Sequence, residues 1–274
     1  MVIFKILKCL IVRIIINYMN LTRYKEFYEK HGYVVLKDYF TEKHGDEIVS
    51  YANELEKLDE IPNKYMIYFE KNRNKSRIEN FINYQNNIKK LLENTLTPLI
   101  NNITNNTNTL FKDKMNWKNP GGKGFKSHQD QPAWSDFLPE KYVSLALFGN
   151  NSTVDNGCLQ FAKVDNKITT LLDYETNGCG QLTNDVINKL NWEHIETTPR
   201  DILIFDSYIP HRSDDNNTND SRRIMYFTYN DSQYGDLYDK YLERKRIEFP
   251  PDIERKDTKI NLIGNKYNLA NPIT

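Results

Sequence analysis

Three side chains that can bind a metal ion stand beside strand-like segments in the second half of the chain. His128 and Asp130 are two residues apart in the sequence HQD, and His211 follows the segment DILIFDSYIP. Side chains at positions i and i+2 of a strand point to the same side, so one strand can present both His128 and Asp130. Two imidazoles and one carboxylate can occupy one face of an iron ion and leave three positions open. An isolated H-x-D pair is more often a solvated loop pair, and the third residue makes a metal site the better interpretation.

An arginine stands where it could hold a carboxylate beside this site. Arg222 follows His211 by 11 positions and opens the strand-like segment RRIMYFTY, and the polar sequence SDDNNTND between them predicts a hairpin. A guanidinium can bind a carboxylate through two parallel hydrogen bonds, which suits a dicarboxylate cosubstrate. Arg223 offers a second guanidinium. Neighbouring strand residues face opposite sides, and the spacing of 11 favours Arg222.

The elements that must position these residues change character along the chain. Up to about residue 100 the apolar residues recur at helical spacing, interrupted by a short strand at 33–36, and Thr41 is suited to cap the second helix. The Asn-rich stretch 101–109 has no periodicity and is predicted to be a loop.

After Phe111 the pattern becomes that of short strands separated by Gly, Asn, Asp and Pro. These strand-like runs are KMNWK (114–118), YVSLALF (142–148), GCLQF (157–161), DILIF (201–205) and RIMYFTY (223–229). Helices followed by many strands predict an all-β core, an antiparallel sandwich or barrel with the N-terminal helices packed outside it. We expect one domain over 23–274, preceded by a basic apolar segment at 1–22.

Charge and cysteine content exclude several classes of function. Lys and Arg number 37, as do Asp and Glu, so the chain lacks the basic excess that drives nucleic-acid binding. Three cysteines without a CxxC pair indicate a reducing compartment rather than a disulfide framework or a structural zinc site. A cytoplasmic protein that binds a small molecule is therefore expected.

The first 18 residues are apolar but are interrupted by Lys5, Lys8 and Arg13. A membrane span requires about 18 or more nearly uninterrupted apolar residues, so a transmembrane helix is not expected. Two interpretations remain open. The segment is either a basic amphipathic stretch that lies on a membrane surface or packs on the domain, or an extension upstream of a start at Met19.

Several motifs in order resemble one enzyme family. They are EKHGYVVLKDYF near the beginning, KMNWKNPGGKGFKSHQDQPAW, NGCLQF, and DILIFDSYIPHRSDDNNTNDSRR. Together with the distal His and the Arg 11 residues after it, they resemble the iron(II)- and 2-oxoglutarate-dependent oxygenases of the phytanoyl-CoA dioxygenase (PhyH) family. The resemblance extends from about Tyr24 to Arg255. HQDQPAW and FDSYIPHRS are most similar to the branch that contains 2-aminoethylphosphonate hydroxylases.

The resemblance implies a double-stranded β-helix, the jelly-roll or cupin-like fold, and a set of site residues. It implies iron ligation by His128, Asp130 and His211, and binding of the distal carboxylate of 2-oxoglutarate by Arg222 with help from Ser213. The retained Asp130 favours hydroxylation over halogenation, because related halogenases have a small residue there.

Four further residues are candidates on weaker grounds. The resemblance implies that Asn116 contacts 2-oxoglutarate and that Trp134 forms a wall of the pocket, although Trp134 is equally well suited to core packing. Lys126 and Arg212 flank the metal site and could bind an anionic group of the substrate, although charged loop residues are usually solvated.

The resulting expectation is a dioxygenase that uses Fe(II), 2-oxoglutarate and O₂. It would hydroxylate a small anionic metabolite, of which an aminoethylphosphonate is one example, with release of succinate and CO₂. Two alternatives remain. One is a non-catalytic jelly-roll protein that binds a metal or ligand and has no need for Arg222, and the other is a membrane-surface adaptor that uses residues 1–18.

Overall fold

The computed structural model describes residues 21–175 and 180–255. The segment 1–18, with its membrane-contact and start-site alternatives, lies outside the described residues, as do Cys9 and Cys179. Within the described ranges, none of the helices combines the length and the apolar content that a bilayer crossing requires. The domain boundary between 22 and 23 stays a prediction.

Two antiparallel sheets form the centre of the described structure. The strands are β1 (Tyr33–Leu36), β2 (Met66–Phe69), β3 (Lys75–Glu79), β4 (Asn108–Lys118), β5 (Phe125–His128), β6 (Tyr142–Phe148), β7 (Leu159–Lys163), β8 (Asn191–Ile195), β9 (Ile202–Asp206), β10 (His211–Ser213) and β11 (Arg222–Asp231). The larger sheet has the order β1-β9-β6-β11-β4-β3-β2, and the smaller sheet has the order β5-β10-β7-β8. This architecture confirms the predicted all-β jelly-roll core.

Helices cover the outer face of the larger sheet. They are α1 (21–31), α2 (Glu42–Glu56), α3 (Asn86–Leu91), a π-helical turn (Leu92–Leu96) and α4 (Thr97–Thr104). Two further helices lie elsewhere: α5 (Asn184–Ile187) lies beside β5 and β10 of the smaller sheet, and α6 (Tyr238–Glu248) packs with Met66, Tyr68 and Phe111 in a separate core cluster. Thr41 caps α2 as predicted, because its side chain accepts a hydrogen bond from the backbone N–H of His44. Apolar side chains of α2, α3 and α4 pack with Met115, Met225 and Phe227 of the sheet in one core cluster.

A second core cluster lies between the two sheets. Phe161 of β7 stacks on Tyr33 of β1 with ring centroids 4.9 Å apart, and it meets Phe205 of β9 edge to face at 5.2 Å. Side chains alternate between the two faces of a strand, so Ile224 and Tyr226 of β11 face this interior while Met225 and Phe227 face the helices. The functional residues share the interior with this cluster.

The predicted loop at 101–109 is wrong except at its centre. Helix α4 extends to Thr104 and β4 begins at Asn108. Asn and Thr are poor helix formers, but Leu99, Ile100 and Ile103 on the same helix are buried in the core, and this packing outweighs local propensity. Asn105 ends α4 in the left-handed conformation at φ 51°.

The predicted hairpin between His211 and Arg222 is also wrong. Strand β10 pairs with β5 and β7 in the smaller sheet, whereas β11 pairs with β4 and β6 in the larger sheet. The connection crosses between the sheets and is fixed by the fully buried Asn216, whose Nδ2 donates to the carbonyls of Lys118 and Asp220, each at 2.8 Å. Arg222 therefore approaches the site from the opposite sheet.

Candidate active site

The three predicted metal ligands lie together in the interior. His128 ends β5 and His211 begins β10, and the two residues are direct partners in the antiparallel register. Their ring centroids are 4.2 Å apart. Asp130 follows β5 at the start of a 3₁₀ turn (Gln131–Trp134), and its Oδ1 lies 3.7 Å from His128 Nε2 and 3.9 Å from His211 Nε2. The ligand atoms of all three residues are within 4.8 Å of one another.

Backbone carbonyls orient both imidazoles for metal binding. His128 Nδ1 donates to the carbonyl of Lys126 at 2.6 Å, and His211 Nδ1 donates to that of Ile209 at 3.1 Å. A hydrogen bond that places the proton on Nδ1 leaves the lone pair of Nε2 free toward a metal. Both Nε2 atoms face Asp130, so the residues fit an ion that binds two imidazoles and one carboxylate.

The local electrostatics keep these groups in their metal-binding forms. Burial lowers the pKa of His128 to about 3, with a contribution from the nearby His211, so the imidazole is neutral at physiological pH. Burial alone would raise the pKa of Asp130, but His211, Lys114 and His128 together hold the pKa of this carboxyl below its ordinary value. The carboxylate is therefore ionised.

Gln129, the middle residue of HQD, has a structural role that the sequence analysis missed. Its Nε2 donates to the carbonyls of Thr170 and Tyr208, at 2.9 and 2.6 Å, and its Oε1 accepts from the backbone N–H of Leu172 at 2.8 Å. The side chain thus ties the segment 170–172 to the strand that carries the metal ligands. Nothing in the sequence around Gln129 predicted this contact.

Arg222 is a buried cation with an unfilled hydrogen-bonding group. It is 1% exposed, and its Nη1 donates to the carbonyl of Gly157. Its Nε is buried without a partner, and no carboxylate among the described residues forms an ion pair with it. Burial lowers the pKa of Arg222, which means that the charged form lacks compensation here. A guanidinium in this state is suited to bind the carboxylate of a small molecule.

Ser213 is linked to Arg222 through Lys118 and the carbonyl of Gly157. Its Oγ accepts hydrogen bonds from Lys118 Nζ at 2.7 Å and from the backbone N–H of Phe125 at 3.3 Å. Lys118 is paired with Arg222 in the register of β4 and β11, and its Nζ also donates to the carbonyl of Gly157 at 3.3 Å. Ser213 Oγ accepts both of these hydrogen bonds, so its own O–H is available as a donor.

A cavity of about 50 Å³ adjoins the metal-binding residues. Its lining is Lys114, Asn116, Phe125, His128, Asp130, Ser144, Leu159, Phe205, His211, Arg212 and Tyr226. Asn116 faces this cavity, and its Oδ1 accepts from Arg77 Nε at 3.1 Å, so the amide NH₂ is turned away from Arg77. The placement is compatible with the predicted contact of Asn116 to a cosubstrate.

The remaining candidates, Trp134, Lys126 and Arg212, differ in their position relative to the cavity. Trp134 packs edge to face against Phe111 and Tyr142 in a separate core cluster and does not line the cavity, which favours the packing interpretation. Lys126 is exposed in a surface cleft. Arg212 lines both that cleft and the cavity, with its guanidinium stacked on Trp192 and its Nε bonded to Gln160 at 2.8 Å.

Behind the cavity, Glu79 is the centre of a buried ion cluster. Its carboxylate accepts from Arg77 Nη1 at 3.1 Å and Tyr241 OH at 2.7 Å, and Lys245 Nζ lies 3.7 Å away. Burial opposes ionisation, but Lys245, Lys112 and Arg77 outweigh it and hold the pKa of Glu79 well below its ordinary value.

Glu79→Gln is expected to lower the free energy of unfolding by about 3–5 kcal/mol at pH 7, because Arg77 and Lys245 would lose their buried counter-charge. Urea denaturation measures the loss. Because its pKa is lowered in the folded protein, Glu79 stabilises the fold above its unfolded pKa of about 4.3, and this stabilisation is lost as the pH falls. The difference in the free energy of unfolding between wild type and Glu79→Gln should therefore be smaller at pH 3 than at pH 7. A difference in the free energy of unfolding that grows on acidification would contradict this account.

Comparison with known proteins identifies the family. The model of the phytanoyl-CoA dioxygenase (PhyH) family matches residues 28–224, a range that includes His128, Asp130, His211 and Arg222. The chain belongs to the phytanoyl-CoA dioxygenase family. Members of the PhyH family are iron(II)- and 2-oxoglutarate-dependent dioxygenases, and the protein is one of them, with O₂ as the oxidant. This finding confirms the predicted enzyme class and cofactors over the alternative of a non-catalytic binding protein.

Two curated relatives of this PhyH protein are named for phosphonate substrates. One is the 2-aminoethylphosphonate dioxygenase of the uncultured bacterium HF130_AEPn_1, which is 35% identical over 256 residues and covers 91% of this chain and 97% of the relative. The other is the methylphosphonate hydroxylase of Gimesia maris, which is 31% identical over 222 residues and covers 80% of this chain and 84% of the relative.

Solved structures support the fold of this PhyH protein. EctD from S. alaskensis, crystallised with 2-oxoglutarate and 5-hydroxyectoine, has a TM-score of 0.65 at 17% identity, covering 77% of this chain and 76% of EctD. The epimerase SnoN from nogalamycin biosynthesis, in complex with Fe³⁺ and alpha ketoglutarate, has a TM-score of 0.65 at 16% identity, covering 78% of this chain and 84% of SnoN. At these identities the likeness concerns the fold alone.

Proposed function

We propose that the protein hydroxylates a small phosphonate, 2-aminoethylphosphonate or a close analogue, with conversion of 2-oxoglutarate and O₂ to succinate and CO₂. One oxygen atom of O₂ enters the hydroxyl group and the other enters succinate. The observation that carries the proposal is the buried cluster of His128, Asp130 and His211, together with Arg222 on the opposite sheet, which forms no ion pair with any described carboxylate. The two relatives named for phosphonates support the class of substrate.

The protein's own residues have distinct tasks in this reaction. His128 Nε2, His211 Nε2 and a carboxylate oxygen of Asp130 would hold iron(II), which activates dioxygen, a reaction that side chains alone do not supply. Arg222 would bind the distal carboxylate of 2-oxoglutarate, and the Ser213 hydroxyl would donate to the same group.

The walls of the cavity serve to exclude water and to position the substrate. Phe125, Leu159 and Phe205 surround the metal-binding residues with apolar surface. An apolar wall shields the reacting C–H bond from side reactions with solvent and strengthens the electrostatic contacts of the bound anions.

Succinate formation under air, with added Fe(II), tests the substrate class. We expect 2-aminoethylphosphonate to stimulate turnover of 2-oxoglutarate by at least about tenfold over 2-aminoethylsulfonate and β-alanine, which carry the same amine but a single negative charge on the other end. Methylphosphonate would show whether the amine is required. Equal stimulation by the sulfonate or the carboxylate, or none by either phosphonate, would overturn the assignment.

A further inference from the structure

Lys114 is a cation of the cavity that the sequence analysis did not select. It lies on β4 opposite Tyr226 of β11 and Glu79 of β3, and its side chain lines the cavity next to His128 and Asp130. Its Nζ lies 4.7 Å from the centre of the Tyr226 ring. In the ranges 21–175 and 180–255 its ammonium group forms neither a hydrogen bond nor an ion pair.

The carboxylates near Lys114 already contact other groups. Glu79 accepts from Arg77 and Tyr241 and lies beside Lys245. Asp130 faces the two imidazoles that would share a metal with it. Among the described residues, Lys114 therefore has no carboxylate that binds it alone, which is costly for a partly buried cation.

Cations exceed anions on this side of the cavity. Arg77, Lys112, Lys114 and Lys245 share the surroundings of the three carboxyl groups of Glu79, Asp113 and Asp130, and a bound iron(II) would add two further positive charges. Lys112 is enclosed by the rings of Trp134 and Tyr241, with its Nζ 5.4 and 5.2 Å from their centres. Lys114 is the member of this group that reaches the cavity. The excess charge can thus be met by an anion bound there.

Lys114 and Arg222 lie at different positions of the larger sheet. Lys114 is four residues before Lys118, the register partner of Arg222, so the backbones of the two positions on β4 are separated by roughly 13 Å. Separate affinities for 2-oxoglutarate and for the phosphonate therefore decide which anion Lys114 binds.

We propose that Lys114 is the contact that recognises the phosphonate group of the substrate. This inference rests on the proposed function and adds the residue that confers its anion specificity. A phosphonate dianion supplies the counter-charge that Lys114 lacks and the acceptor oxygens that its three N–H donors require. Lys126 and Arg212, the candidates from sequence, are respectively outside the cavity and engaged by Trp192 and Gln160.

The test is a comparison of Lys114→Met and Lys114→Arg with wild type and with Lys89→Met, an exposed lysine on α3. Calorimetry under anaerobic conditions, on protein loaded with Fe(II), gives separate dissociation constants for 2-oxoglutarate and, in its presence, for 2-aminoethylphosphonate. We expect Lys114→Met to weaken phosphonate binding by about 10- to 100-fold and 2-oxoglutarate binding by less than about twofold. Lys114→Arg should retain most of the phosphonate affinity.

Two results would overturn the proposal: unchanged phosphonate binding in Lys114→Met, or a loss of 2-oxoglutarate binding in its place, which would assign the lysine to the cosubstrate. Methylphosphonate is the second probe. If wild type binds methylphosphonate through Lys114 but is not stimulated by 2-aminoethylphosphonate, the substrate assignment fails while the role of Lys114 stands. If wild type binds neither phosphonate, both proposals fail.

Discussion

His211→Ala is expected to reduce 2-oxoglutarate turnover by more than about 100-fold and to lower the iron content of the purified protein. Removal of a partner that only orients a ligand already costs about 10- to 100-fold, and loss of the ligand itself should cost more. His211 supplies one of the two Nε2 atoms that face Asp130, and alanine offers no replacement. Succinate formation and iron per chain are the two measurements.

His194→Ala is the matched control, because His194 is an exposed histidine on β8, in the same sheet as His211. It should keep both the turnover and the iron content of wild type. His211→Ala protein that retains iron and turns over at the rate of wild type would show that the metal is held elsewhere.

Arg222→Met is expected to raise the KM for 2-oxoglutarate by about 10- to 100-fold, because a hydrogen bond to a charged group contributes about 1.5–3 kcal/mol. Arg222→Lys should recover part of this loss, since it keeps the charge but not the two-pronged geometry. Steady-state kinetics with 2-oxoglutarate as the varied substrate measure both effects. The variant without the guanidinium should also unfold at no lower temperature than wild type, because an uncompensated buried charge has been removed.

The adjacent arginine provides the control within the same strand. Arg223 points to the outer face, where its Nη1 contacts Asn53 at 2.5 Å and Glu56 at 3.1 Å. Arg223→Met should therefore leave the KM for 2-oxoglutarate within about twofold of wild type. The same increase in both variants would contradict the assignment of Arg222, because the two side chains lie on opposite faces of β11.

The cluster of His128, Asp130 and His211 was predictable because metal chemistry restricts the residue types. Few sets of residues in this sequence other than His128, Asp130 and His211 could supply two imidazoles and a carboxylate to an iron ion. The spacing of 11 residues from His211 to Arg222 restricted the choice further. The alternating faces of β11 also separated Arg222 from Arg223 correctly. The predicted hairpin was wrong, because the buried amide of Asn216, not a turn, directs the chain from one sheet to the other.

The cationic side of the cavity was not predictable from local sequence. Strands β2 and β3 are short, and KSRIE in β3 reads as a solvated charged stretch, although Arg77 and Glu79 are buried. Their burial depends on Tyr241 and Lys245 of α6, more than 160 positions later in the chain. Lys114 likewise becomes a candidate only once the structure shows that it lines the cavity and forms no ion pair with a described carboxylate. The periodicity of the sequence cannot reveal ion pairs between residues that are so far apart in the chain.

A crystal structure of the protein prepared anaerobically with Fe(II) and 2-oxoglutarate tests the central claim most directly. We predict an anomalous iron peak in contact with His128 Nε2, Asp130 and His211 Nε2, and a 2-oxoglutarate molecule whose distal carboxylate meets Arg222 and Ser213. Iron bound at other residues, or 2-oxoglutarate bound away from Arg222, would contradict the account.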